Sequence, residues 1–229
     1  MVGNFRSDFA GFIMAYERPE VIEHTLNSIF NQTVIPDKIL IVDNSESTRV
    51  KDTIHNLNNE RIEYFKVGYN AGPAGAAKIG LQKLAEQGYD WIYWGDDDDP
   101  PHFEDCFEGL LAISRKEIGI LGVVGQFFSK RTGEVFRVSD GEIRQRSEVS
   151  VDSVAGNQCM IVNADVVRQG CLPDADLFFG FEELDFCIKV KKLNFSLIAS
   201  SDLFLRSREK FNKLGFKRSL TSLKKKGIA

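Results

Sequence analysis

Four short apolar runs, at residues 9–15, 38–42, 62–67 and 91–94, are separated by segments whose apolar residues recur at helical spacing. This alternation constrains the fold more than any other feature of the chain. Between the first two runs, Val21, Ile22, Leu26, Ile29 and Phe30 fall on one helical face. A weaker helical period covers 49–57, and a stronger one covers 74–87 and is stopped by Gly88. Apolar runs without polar alternation read as strands buried on both faces, and strands that alternate with helices build a mostly parallel sheet covered on both sides. With 229 residues and 43% hydrophobic content, the chain can bury one sizeable α/β core, which excludes a disordered protein.

Downstream, the pattern predicts a helix over 103–116 and a strand over 119–128. Hairpins follow over 130–150, around Thr132-Gly133 and Asp140-Gly141, giving a small mixed β region. A strand over 158–162, a short helix over 164–169 and a helix over 184–192 complete the series. After Ser200 the chemistry changes: nine Lys/Arg against two Asp/Glu give +7, which leaves −11 on the first 200 residues of a chain whose total is −4. The expected division is a domain over 1–200 and a basic, partly amphipathic tail over 201–229. Residues 204–226 of that tail would suit peripheral contact with an anionic membrane, the competing reading being a C-terminal helix packed on the domain. The acidic remainder opposes nucleic-acid binding. Cys106, Cys159, Cys171 and Cys187 form no CxxC pair, and no secretory signal opens the chain. The expectation is a reduced, cytoplasmic protein that can lie on the inner face of the cell membrane.

The densest chemistry is at Asp96-Asp-Asp-Asp99, directly after the run 91–94 and closed by Pro100-Pro101. Open α/β sheets bind ligands at the carboxyl ends of their strands. Adjacent carboxylates repel one another unless water or a cation screens them, and hard divalent ions take oxygen ligands of this kind. An acidic surface turn is the alternative. Asp43-Asn44-Ser45 ends another strand with donors and acceptors suited to a pyrimidine edge, or simply with an Asx turn. Glu182, Glu183 and Asp185 crowd one helical turn, where they either shift one another's pKa or serve the helix dipole.

Taken in order, the motifs resemble those of the GT-A fold glycosyltransferases of family 2, over residues 9–199 or so. Ala15-Tyr16-Glu17-Arg18-Pro19 is similar to the family's opening "T-x-N-R", and Ile41-Val-Asp43-Asn44-Ser45 to its "VDNxS" nucleotide site. Asn70-Ala-Gly72-Pro-Ala-Gly75 resembles the "NxGxxG" loop, Gly95-Asp96-Asp97-Asp98 the metal-binding DxD, and Phe181-Glu182-Glu183-Leu-Asp185 the "ED-x-D" segment of the catalytic base. The resemblance implies a Rossmann-like sheet and a Mn2+ or Mg2+ ion. The donor would be a UDP- or dTDP-linked sugar and the acceptor a glycan or lipid-linked glycan. Transfer would invert the anomeric carbon, in the manner of the rhamnosyl- and galactofuranosyl-transferases of bacterial surface polysaccharides.

Carried residue by residue, the likeness gives Ala15, Tyr16, Arg18, Asp43, Asn44, Asn70, Gly72, Gly75, Lys78, Asp96 and Asp97 to the donor. Asp96 and Asp98 go to the metal, and Glu183 becomes the base between Glu182 and Asp185. By strand alternation Asp97 would point away from Asp96 and Asp98, with Asp99 as a substitute if the register shifts by one. Three departures stand out. Glu replaces the commoner Asp at the base, which leaves Glu182 and Glu183 in competition. Lys78 stands where relatives often have Asn or Arg. No histidine follows the last helix, so Asp202 or Arg206 stands in that region, while His102 reads as a polar helix-start residue. Asn157 and Gln158 would either face the acceptor or serve as structural polar residues at a strand entry. Competing classes are a haloacid-dehalogenase-like phosphatase, a sugar nucleotidyltransferase and a non-catalytic sugar-nucleotide-binding module. The first would carry its aspartates on the first strand, and the second needs a glycine-rich N-terminal loop that is missing here.

Overall fold

Strand β1 (Phe9–Ala15) is buried along its whole length, as an apolar run without alternation must be when both faces of a sheet are covered. It pairs in parallel with β2 (Lys38–Asp43) on one side and β4 (Trp91–Asp96) on the other, and β3 (Ile62–Lys66) extends the sheet beyond β2. The connections are α1 (Pro19–Phe30), α2 (Arg49–Leu57) and α3 (Gly72–Glu86). Register sets Ala15 beside Asp43 and Met14 beside Asp96, so three strand ends open onto one edge of the sheet. The computed structural model describes residues 8–156 and 159–216.

Past β4 the parallel order is interrupted. Strand β10 (Met160–Asn163) runs antiparallel between β4 and β5 (Ile118–Gly122), then β11 (Ser196–Ser200) and β8 (Glu148–Ser150) follow, giving the order β3-β2-β1-β4-β10-β5-β11-β8. A second, antiparallel sheet has the order β7 (Glu134–Arg137), β6 (Gly125–Ser129), β9 (Ser153–Val154). The α/β architecture read from the sequence is therefore present.

Local details differ from the sequence reading for identifiable reasons. The helix expected over 103–116 shrinks to α4 (Cys106–Leu111), because Ile113 and Ser114 close i−3 turns onto Leu110 and Leu111. The strand expected over 119–128 is two strands, since the chain leaves the large sheet after Gly122 and enters the small one at Gly125. Thr132-Gly133 does turn between β6 and β7, but Asp140-Gly141 opens a helix, α5 (Asp140–Arg144). A capping box decides it: Ser139 Oγ accepts from Glu142 N–H while Glu142 Oε2 accepts from Ser139 N–H, which outweighs the Asp-Gly turn signal.

Three further helices complete the chain: α6 (Ala164–Arg168), α7 (Glu182–Lys192) and α8 (Ser201–Lys210). The start of the basic stretch packs against the sheet through Leu203 and Phe204, both buried. The buried Arg208 guanidinium pairs with Asp140 and donates to Val138 O, joining α8 to α5. Residues 217–229 of the basic stretch, and Asn157 and Gln158, lie outside the described residues. All four cysteines are free thiols and buried.

The packing that matters most for the site is a row of rings. Trp94 of β4 lies between Phe12 of β1 and Phe186 of α7, at centroid distances of 5.8 Å on each side, and all three are fully buried. Phe186 thereby fixes the first turns of α7 over the carboxyl end of β4. Truncating it removes most of a buried ring, so Phe186→Ala should cost about 3–5 kcal/mol in urea denaturation, with Phe186→Leu losing less. No loss in Phe186→Ala would show that α7 is held by other contacts.

Candidate active site

The strand geometry of β4 ends at Asp96, and Asp97 and Asp98 lie in a turn. The alternation expected to point Asp97 away from its neighbours does not extend that far. Instead the Arg18 guanidinium pairs with both Asp97 and Asp98. Asp97, with a side chain only 2% exposed, also accepts from Tyr16 N–H at 3.4 Å, and its backbone carbonyl accepts from Thr25 Oγ1 at 2.7 Å. These contacts tie the loop after β1, and α1 behind it, to the end of β4. Asp99 faces His102 Nε2 at 3.4 Å, and the His102 ring packs edge-on against Phe211.

No cation among the described residues pairs with Asp96. Burial first, then Glu183 and the other three aspartates, push its carboxyl up to about 7. Asp97 is pushed up to about 6 by burial, although Arg18 and the Tyr16 N–H pull the other way. Five carboxylates, Asp96 to Asp99 and Glu183, thus act on one another, with Arg18 the arginine paired among them.

The opposing carboxylates come from the start of α7. Phe181 holds a left-handed backbone (φ 67°) that turns the chain into the helix. Glu182 is buried with Oε2 unpartnered, and burial raises its pKa, with Glu183 adding to the effect. Glu183 Oε1 accepts from Gly156 N–H at 3.3 Å. A Cβ at Gly156 would sit 3.0 Å from Trp94 Nε1 and 3.4 Å from Glu183 Oε1, so a larger residue would press tightly on the indole. Asp185 points to Lys189 Nζ, 2.6 Å away along its own helix. Of the three acids, Glu183 is the one whose charge reaches Asp96.

Beside the carboxylates lies a hollow of about 570 Å³. Ala15, Tyr16, Arg18, Asn44, Asn70, Gly72, Asp96 and Asp97 line it, so eight of the residues expected to meet a donor do converge. Asn44 donates to Gly72 O at 3.1 Å and keeps a buried Oδ1 with no partner. Asn70 Oδ1 accepts from Gly72 N–H at 3.0 Å. Asp43 is covered: it accepts from Ser45 N–H (2.8 Å) and Tyr64 OH (2.6 Å), with Lys66 Nζ 3.6 Å away. Gly75 sits within α3, one face against Ala71. Lys78 lies elsewhere, on a separate hollow with Lys189 and Lys192. Arg206 pairs with Asp105 and Asp202, so neither candidate from that region reaches the aspartates of the cleft.

Five lining residues, Met14, Glu17, Pro73, Phe178 and Phe179, were not assigned to the donor from the sequence. Phe178 and Phe179 form a wall of the hollow, and Phe179 and Phe181 are 78% and 76% exposed. Gly72 (φ 67°) exists for this contact: a Cβ there would lie 2.7 Å from the Phe178 ring. The signal was available in Phe178-Phe-Gly-Phe181, since consecutive aromatics beside two acids are unusual in a surface loop.

The family model for Glycosyl transferase family 2 matches residues 12–168. The chain is 24% identical over 187 residues to a galactofuranosyltransferase GlfT1 of Mycolicibacterium smegmatis, which covers 76% of this chain and 62% of that protein. The GlfT1 of Mycobacterium tuberculosis is 26% identical over 106 residues, 45% of this chain and 34% of that one. Among solved structures, the mannosyltransferase PcManGT of Pyrobaculum calidifontis, in complex with GDP-Man and Mn2+, superposes with a TM-score of 0.65. It is 13% identical and covers 87% of this chain and 56% of its own. Residues 1–349 of S. aureus TarS in complex with UDP give 0.63 at 15% identity, covering 85% and 58%. The chain spans less than two thirds of the length of each of these proteins.

The carboxylate crowding has a measurable consequence. An unfolded aspartate titrates near about 3.9, and folding raises Asp96 to about 7. Between those values the folded chain binds more protons than the unfolded one, so the Asp96 carboxyl erodes stability as pH rises through this window. In metal-free buffer, Asp96→Asn should be more stable than the natural chain at about pH 8, and the difference should close towards about pH 4. Denaturant midpoints at the two pH values test this, and an equal difference at both would remove the crowding at Asp96.

Proposed function

The chain belongs to glycosyl transferase family 2, and from that premise we propose that it moves a sugar from a nucleotide-diphosphate donor to a hydroxyl of a glycan or lipid-linked glycan, inverting the anomeric carbon. The observation that carries this reading is the meeting of Asp96, at the end of β4, with Glu183, at the start of α7, beside a hollow lined by Asn44 and Arg18. A nucleotide sugar needs those two ends: polar groups for the nucleotide and a base beyond the anomeric carbon.

The donor set suits a hard divalent ion. It is made of oxygens, it lacks a cation at Asp96, and its crowding is of the kind a dication relieves. Asp96 and Asp98 would hold the ion. Among the described residues no group of three acid, cysteine or histidine side chains is already placed to hold an ion. Bound there, Mn2+ or Mg2+ would act as a Lewis acid for the charge that grows on the leaving diphosphate.

The remaining roles fall to the chain's own groups. Asn44 Oδ1 offers the unpartnered acceptor to a base edge, and Tyr16, 45% exposed, and Phe178 offer ring faces for stacking. A UDP or dTDP donor fits that pattern. Asp43, covered by Tyr64 and Lys66, supports Asn44 from beneath. Arg18, at the lip of the hollow, is the arginine within reach of a diphosphate. Glu183 takes the proton of the acceptor hydroxyl as its oxygen attacks the anomeric carbon, and the bond to the diphosphate breaks on the opposite side. Gly156 N–H holds the carboxylate in place for that transfer.

The similarity to galactofuranosyltransferases supports galactofuranosyl transfer in bacterial polysaccharide synthesis, with rhamnosyl transfer as the neighbouring option. No helix among the described residues is long and apolar enough to cross a membrane. The proposed setting is the cytoplasm, with peripheral contact at the inner membrane face; the membrane contact expected from residue 204 onward does not extend to Phe204, Arg206 and Arg208, which pack on or pair with the domain.

A panel of nucleotide sugars, scored by Mn2+-dependent thermal stabilisation and slow donor hydrolysis, tests the reading. Asp98→Ala should abolish the metal-dependent part of the shift. Glu183→Gln should keep donor affinity within about twofold and lower transfer by about 10²–10⁴-fold, the range for a lost general base. Parallel loss of binding and transfer in Glu183→Gln would make Glu183 structural, and no nucleotide binding with or without metal would overturn the proposal.

A further inference from the structure

A second hollow, of about 620 Å³, takes Asp99 from the far end of the aspartate run into its lining and is otherwise formed largely by the small sheet and α8. One end is built from Asp99, next in sequence to the proposed metal ligands, and Ala155, whose neighbour Gly156 holds the Glu183 carboxylate. An acceptor in this hollow would reach the base from the side opposite the nucleotide. The other end has a different character. Arg137 from β7, Arg208 from α8 and Lys213 from the segment after it line that end, with the ring of Phe211 beside them.

These cations differ in how far they are spoken for. Arg208 is buried and paired with Asp140. Arg137 lies over the Phe216 ring at 4.6 Å and donates to Lys213 O at 3.5 Å. Its positive charge is felt by Arg208, whose pKa is lowered by burial first and by Arg137 in addition. Lys213 is exposed, and no carboxylate among the described residues lies within ion-pair distance of its ammonium. Asp99 is the one carboxylate on the lining, at the catalytic end, where His102 faces it. A neutral sugar alone does not require Arg137 and Lys213 gathered at the far end beside the buried Arg208–Asp140 pair, whereas a phosphate oxygen is stabilised by each of these two through a charge-assisted hydrogen bond.

We propose that this hollow is the acceptor site and that its Arg137 and Lys213 end holds a phosphate group carried by the acceptor. The assignment rests on the glycosyltransferase reading above and adds the acceptor's chemical class to it. The phosphate belongs either to a soluble sugar phosphate or to the headgroup of a lipid-linked glycan, and the chemistry that recognises it is the same.

The test uses the full chain and titrates it calorimetrically with glucose 1-phosphate and with dodecyl phosphate in mixed micelles. Methyl glucoside and dodecyl maltoside are the uncharged controls, and UDP and dTDP are titrated into the same preparations. Both phosphates should bind and compete with one another while the uncharged controls do not. Tighter binding of dodecyl phosphate assigns a lipid-borne phosphate, and tighter binding of glucose 1-phosphate a soluble one. Lys213→Glu, at an exposed position, should weaken phosphate binding by about tenfold or more and leave nucleotide affinity as it was. Arg137→Gln should act in the same direction. Nucleotide binding without phosphate binding, or phosphate affinity unchanged in both variants, overturns this proposal alone. Failure to bind either nucleotide removes the donor reading, and this one with it.

Discussion

Repulsion among carboxylates is the constraint around which this structure is arranged. Asp96, Asp97, Asp98 and Glu183 are brought together from the end of β4 and the start of α7, and burial strips away much of the water that would otherwise screen them. One guanidinium, that of Arg18, neutralises Asp97 and Asp98 together. Asp96 is left without a counter-charge, and burial first, then Glu183 and the neighbouring aspartates, push its carboxyl up to about 7. Such a cluster is costly unless the rest of the fold compels it, and each surrounding contact can be read as part of that compulsion. Tyr16 N–H and Thr25 Oγ1 hold Asp97 from below, Gly156 N–H holds Glu183 from the side, and the Phe12–Trp94–Phe186 row prevents α7 from moving away.

The two flanks of the cleft are coupled through the backbone around Gly72. Asn44, at the end of β2, donates to Gly72 O, and Phe178 packs where a Cβ of residue 72 would be, while Phe178 O accepts from Ala74 N–H at 3.1 Å. The loop that leads into α7 is therefore seated on the loop that opens α3. A displacement at the nucleotide end would be transmitted to Phe181 and so to Glu182 and Glu183, within a few residues and without passing through the sheet.

What could be read from the sequence, and what could not, follows from the range of the forces involved. The βα alternation, the aspartate run and the acids of α7 are local patterns, and they survived folding because burial on both faces of a sheet enforces them. Asp97 is a tertiary fact: its partners Tyr16, Arg18 and Thr25 are some 70–80 positions away, and nothing near residue 97 announces them. Lys78 was assigned from its place in a motif, but the phase of α3 turns it to another hollow. Asp140-Gly141 has the composition of a turn, and only the reciprocal bonds of Ser139 and Glu142 make it a helix start. The Ser139-x-x-Glu142 spacing was legible, so that error came from weighing one local signal above another. The exposed Phe179 and Phe181 were legible too, as apolar residues with no helical or strand period to bury them.

The charge asymmetry of the chain acquires a spatial meaning in the folded molecule. Residues 1–200 carry the net negative charge and the last 29 the positive, yet α8 returns Arg208, and the segment after it returns Lys213, to the hollow that Asp99 also lines. Two hollows of opposite character then meet at Asp96–Asp99, one flanked by carboxylates and the other ending in Arg137, Arg208 and Lys213. If both hollows were equally basic, an anionic acceptor would compete with the nucleotide for either one. On the proposed function, aspartates between the two hollows would favour a diphosphate accompanied by a dication on the donor side, where Arg18 is the one lining arginine, and would direct a phosphate without a metal to the basic end. The order of charges along β4, the turn after it and α8 would thus separate the two proposed anionic substrates before any base or sugar is recognised.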